Sequence, residues 1–93
     1  MAKVNIQRTS QGEPYEFEVT VHEGGTATHH RVTLRQADYE RLSGGRAGPE
    51  ALVRESFHYL LEHEPKESIL RSFDLTVISR YFPAYEREIA GRL

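Results

Sequence analysis

The chain has 93 residues and a mass of 10.7 kDa, enough for a single hydrophobic core. It contains no cysteine, which excludes disulfides, thiolate metal sites and cysteine nucleophiles. Twelve Lys and Arg against fourteen Asp and Glu leave a formal charge of −2 with no basic cluster, the wrong balance for a general nucleic-acid binder.

Lys3 to Arg8 predicts a first strand, with Val4 and Ile6 on one face. Thr9 to Pro14 is a loop by composition. From Tyr15 to His22 apolar and polar residues alternate strictly, the period of a strand with one buried face. Thr28 to Leu34 alternates in the same way, and Gly24-Gly25 between them suits a tight hairpin turn that needs positive φ at both central positions. Centring the turn on the glycines pairs Val19 with His30, Phe17 with Val32 and Tyr15 with Leu34 on the apolar side. It also sets Glu18 opposite Arg31 on the polar side. A one-residue slip would separate Phe17 and Val32 onto opposite faces. Antiparallel closure of the first loop is expected to bring Ile6 beside Phe17, giving a meander in the order 1-2-3 with one wet face.

The remainder predicts helices. Thr33 and Gln36 have capping-box spacing ahead of a short helix over Arg35 to Leu42, which Ser43-Gly44-Gly45 stops. Pro49 and Glu50 open the next helix. Its apolar residues Leu52, Val53, Phe57, Tyr59, Leu60 and Leu61 span an arc of roughly 200°, wider than one sheet face requires. The tail from Pro65 onward is therefore expected to fold over the far side of this helix. Within that tail, Lys66 to Phe73 is expected to be helical and Asp74 to cap a further helix. Leu75, Ile78, Tyr81, Phe82, Tyr85 and Ile89 fall within roughly 120° on it, with a kink or a break at Pro83. The expected fold class is α+β: a three-stranded antiparallel β-meander (residues 1–34) packed on one face by a central helix and C-terminal helices (residues 35–93), all in one domain.

Candidate chemistry is sparse. His29 and His30 are adjacent in a strand and point to opposite faces, so they cannot share an ion. His22 and His29 share the wet face diagonally, but zinc needs three or four protein ligands. His58 and Glu62 have the spacing of a ligand pair with no third member, and a solvated i,i+4 contact is the expectation. His63 sits where a cation complements the helix dipole. Ser43 to Gly48 has the glycines of a phosphate cradle but lacks the Lys-Ser/Thr, and Pro49 deletes a donor amide there. No serine lies in a nucleophile elbow. Ile69 to Phe82 reads like a helix-turn-helix with Val77-Ile-Ser-Arg80 echoing a recognition helix. However, Asp74 stands where the turn glycine belongs, and acidic residues outnumber basic ones from Gly48 onward. No catalytic residue, metal site or cofactor is assigned.

The stretch Ser56-Phe57-His-Tyr-Leu60-Leu61-Glu-His-Glu64-Pro65-Lys-Glu67-Ser68-Ile69-Leu70, followed by Phe73-Asp74-Leu75-Thr-Val77-Ile78-Ser-Arg80-Tyr81-Phe82-Pro83, resembles a group of small conserved hypothetical bacterial proteins. The resemblance implies a bacterial source and carries no catalytic or binding residue with it. The expected function is that of a non-catalytic protein-interaction or regulatory module, binding a protein partner or a second copy of itself through Val77, Tyr81 and Tyr85. A DNA-binding regulator using residues 69–82 is the alternative. No signal peptide or membrane span is visible, and the cytoplasm is the expected location.

Overall fold

In a computed structural model that describes residues 2–93, the chain is α+β, with a four-stranded sheet in the order β1-β2-β3-β4. Strands β1 (Lys3–Ser10), β2 (Tyr15–Glu23) and β3 (Thr26–Leu34) form the antiparallel meander. The β2–β3 register is the one the alternation requires: Tyr15 pairs with Leu34, Phe17 with Val32 and Val19 with His30. Gly24 and Gly25 turn the hairpin at φ of 66° and 81°, a region where a side chain would be strained. Glu18 and Arg31 meet at 3.6 Å on the solvent side.

The β1–β2 register differs from expectation. Ile6 pairs with Val19 and Arg8 with Phe17, because β1 runs two residues further, to Ser10, through an irregularity between Arg8 and Ser10. A two-residue shift preserves the face of every side chain, so Val4 still points into the core. Arg8 closes the end of that core. Its guanidinium lies 5.0 Å from the Tyr15 ring and donates to Glu50 Oε1 at 2.7 Å, joining β1 to the start of the central helix. That hydrogen bond holds the Glu50 carboxyl below the ordinary carboxylate range.

Helix α1 (Gln36–Ser43) ends at Gly44, whose φ of 60° places it in the left-handed cap conformation. The capping box does not form: Thr33 Oγ1 donates instead to Asp74, and the Gln36 N–H donates to the Glu13 carboxylate at 3.2 Å. Helix α2 (Pro49–His63) begins on Pro49 and buries Leu52, Val53, Phe57, Tyr59 and Leu60. One side of α2 rests on the sheet. The other is covered by helix α4 (Tyr85–Arg92), whose Tyr85 and Ile89 are fully buried.

The tail covers α2 as its breadth demands, but by a different route. Residues Lys66–Ser68 make one 3-10 turn, and the chain then extends into a short strand β4 (Ser72–Asp74). Strand β4 pairs parallel to β3, Val32 with Phe73, so the sheet is mixed and not a three-stranded antiparallel one. Parallel neighbours need a long crossover, which residues 35–71 supply. The helix predicted over Lys66 to Phe73 is overridden by hydrogen bonding at the edge of β3: the Arg31 N–H donates to the Arg71 carbonyl at 2.7 Å. Asp74 is a cap, as expected, but of the 3-10 turn Leu75–Val77, accepting from the Thr76 N–H at 3.0 Å. The predicted break at Pro83 separates helix α3 (Ile78–Tyr81) from α4.

Candidate functional site

Three segments converge at the end of α2. Its last turn supplies Leu60, and Glu64 caps it. The extended run into β4 supplies Leu70 and Phe73, while the 3-10 turn and α3 supply Val77, Ile78 and Tyr81. They enclose a groove of about 340 Å³. Leu60, Phe73 and Ile78 are buried and form its floor. Leu70 and Tyr81, 46% and 67% exposed, are the two large apolar side chains among the described residues that remain open to solvent. Both border this groove. A single exposed apolar side chain needs no explanation, but here two of them border one concave apolar surface.

Glu64 sits at this groove and, among the described residues, has neither a salt bridge nor a side-chain hydrogen bond. Partial burial pushes its carboxyl pKa up, opposed by the charge of His63. The neighbouring cations are engaged elsewhere or face away. The Lys66 ammonium binds Glu67 at 2.7 Å, and Arg80 lines a separate cleft with Pro14, Thr33 and Asp38.

The partner-binding residues expected from the sequence divide. Val77 and Tyr81 both line the groove. Tyr85 does not: it is fully buried between α4 and α2, and it is a core residue. Ser56 Oγ is 2.7 Å from the Leu52 carbonyl, which can only accept, and 2.6 Å from the Tyr85 hydroxyl. The serine's one proton goes to Leu52, so the Tyr85 O–H donates to Ser56. Burial pushes the Tyr85 phenol pKa up and keeps it neutral. Phe82 lines the groove while also packing on Tyr59 and His63.

Four of the five histidines make contacts within the fold. His29 contacts Thr20 Oγ1 at 3.2 Å across the hairpin. No group of three His, Cys, Asp or Glu gathers around it or elsewhere among the described residues. His30 is buried beside Phe57; its Nδ1 lies 2.7 Å from the Leu70 carbonyl and its Nε2 2.9 Å from Thr28 Oγ1. The carbonyl can only accept, so Nδ1 carries the proton and Nε2 accepts from the threonine. Desolvation lowers the His30 pKa, consistent with a neutral ring. His58 and Glu62 do not make the expected contact. His58 lies 3.9 Å from Glu55, and Glu62 takes both guanidinium nitrogens of Arg92 at 2.6 and 2.7 Å, tying α4 to α2. His63 is stacked between Tyr59 at 4.6 Å and Phe82 at 5.1 Å. Arg46, in the glycine-rich connector, donates to the Ala90 carbonyl at 3.0 Å.

Residues 69–82 contain a strand, a 3-10 turn and a four-residue helix. The two packed helices of a helix-turn-helix are therefore not formed there. Sequence reasoning missed Leu70 and Glu64. Ile69 and Leu70 are adjacent in an extended run, so one of them must point outward. Glu64 is an acid at a helix C-terminus, where the dipole disfavours negative charge. Among the described residues no helix is long and apolar enough to cross a membrane. Comparison of the chain with protein-family models, with curated proteins and with solved structures found no match to any of them.

Proposed function

We propose that the protein is a non-catalytic interaction module that binds a protein partner through the groove bordered by Leu70, Val77 and Tyr81. The observation that carries this reading is the placement of Leu70 and Tyr81, the two exposed large apolar side chains, on one groove with a buried apolar floor. Its non-catalytic character is supported by the lining. One carboxylate, the Ser68 hydroxyl and the Tyr81 phenol are the polar side-chain groups of the lining, which holds no imidazole and no second carboxylate for acid–base work. Each residue's contribution follows from its position. Tyr81 offers a broad, stiff surface that loses little entropy on docking, and Leu70 provides the opposite wall.

The reading is tested by placing a photo-crosslinking amino acid at position 81 in the host cell and, as control, at Gln7 on the exposed face of the sheet. A discrete adduct from position 81 that is absent from position 7 is the expected result, and an adduct with the protein itself identifies self-association. Identical patterns from both positions, or no adduct from position 81, overturn the reading.

A further inference from the structure

The groove is apolar along its length but electrostatically one-sided at the end of α2. Glu64 lines it without a Lys or Arg partner among the described residues: none contributes to the lining, Lys66 is paired with Glu67, and Arg92 with Glu62. Glu64 also caps the C-terminus of the fifteen-residue helix α2, where unpaired carbonyls carry the negative end of the dipole. His63, the basic residue of that last turn, packs against the Tyr59 and Phe82 rings and is the group whose charge, when present, acts on the Glu64 carboxyl. A carboxylate and a helix C-terminus thus present negative potential beside an apolar trough, and among the described residues no Lys or Arg pairs with that carboxylate. A volume of about 340 Å³ is at the low end of ligand sites, room for one or two side chains and not for a folded domain.

Resting on the interaction-module reading, we propose that the occupant of this groove is a short linear peptide segment of another protein. It carries one large apolar side chain, which seats over Phe73 and Ile78 between Leu70 and Tyr81. A neighbouring Lys or Arg of the same segment pairs with Glu64. The apolar anchor supplies most of the buried area. The ion pair supplies orientation and selectivity, because an acidic or neutral segment would leave the carboxylate partly desolvated and unpaired. Arg fits the site better than Lys, since its planar fork can engage both carboxylate oxygens.

The test is selection of a random twelve-residue peptide library on the intact protein, followed by affinity measurement on the enriched peptides. The expected peptides carry a Lys or Arg within a few residues of a Leu, Ile, Met or aromatic residue. They bind Tyr81→Asp and Leu70→Asp poorly. The Glu64→Gln variant, which keeps the side-chain shape, is expected to bind them about tenfold more weakly at low salt and to lose most of the salt dependence. A library selected on Glu64→Lys is expected to turn acidic. Thermal melts confirm that each variant is folded, and two rim variants keep the test decisive if one is not. Peptides that depend on Tyr81 and Leu70 but carry no basic residue, or that bind Glu64→Gln equally well, overturn this inference and leave the groove reading standing. If no peptide distinguishes the wild type from the two rim variants, the groove reading falls, and this inference with it.

Discussion

Closure of α4 over α2 depends on one buried polar pair, and the direction of its hydrogen bonds makes an asymmetric prediction. The Tyr85 O–H donates to Ser56 Oγ at 2.6 Å, and Ser56 in turn donates to the Leu52 carbonyl at 2.7 Å; both side chains are fully buried. Ser56→Ala removes the only acceptor for a buried phenol. Leaving such a donor unpaired costs about 1–3 kcal/mol, offset by up to about 0.5 kcal/mol from the better helix propensity of alanine. Tyr85→Phe removes the donor but leaves Ser56 bonded to Leu52, so about 0.5–1.5 kcal/mol is lost. In the double variant neither polar group remains to be satisfied, and its loss is expected to resemble that of Tyr85→Phe alone and not the sum of the two single losses. Urea titration followed by far-UV circular dichroism measures all four proteins. A thermal melt checks them independently, at about 4–8 °C per kcal/mol for a domain of this size. Additivity of the two single losses to within about 0.5 kcal/mol would refute the assigned hydrogen-bond direction and the coupling between α2 and α4.

Three further outcomes follow from the same geometry. Burial lowers the folded-state pKa of His30, so at mildly acidic pH the unfolded chain binds the extra proton first. Stability should therefore be full above the unfolded value near 6.5 and fall as pH drops through and below it, with a slope no steeper than about 1.4 kcal/mol per pH unit from this group. Urea titrations between pH 8 and pH 5 on the wild type and His30→Gln measure it; an equal pH slope in both proteins contradicts the assignment. Leu52→Ala in the fully buried face of α2 should cost about 2–5 kcal/mol, detected as an earlier urea midpoint with an unchanged slope. Gly44→Ala meets no neighbouring atom closer than 3.8 Å, so its loss of about 1 kcal/mol should come from backbone strain at φ 60° alone. The same substitution at Gly91, which has a free surrounding and no positive φ, should be neutral or stabilising by equilibrium denaturation.

Local patterns carried the front of the molecule. The hairpin register from Tyr15 to Leu34 was legible because a period-2 pattern, a two-glycine turn and a Glu18–Arg31 pair each specify the same alignment. The boundaries of α2 were legible from Pro49 and from the break at Pro65, and the width of its apolar face announced that it needed cover on both sides. Two of the residues singled out in the sequence, Val77 off the apolar stripe of the tail and Tyr81 within it, both line the groove. Tyr85 was misplaced because a tyrosine within a stripe reads the same whether its hydroxyl meets water or Ser56. Only the packed partner distinguishes the two.

What the amino-acid order determined by itself was set by neighbours close in the chain: the β2–β3 hairpin with its glycine turn, the glycine stop of α1, and the proline start and apolar face of α2. The path of residues 66–82 was decided by tertiary structure alone. The run Ile69-Leu-Arg-Ser-Phe73 is short and compatible with helix or strand, and it becomes β4 because the edge of β3 offers backbone partners and the His30 ring takes the Leu70 carbonyl. Those partners lie some forty positions away in the chain, beyond the reach of any local pattern. The groove at the end of α2, with Leu70 turned outward and Glu64 left without a cation, exists only as a consequence of that long-range pairing.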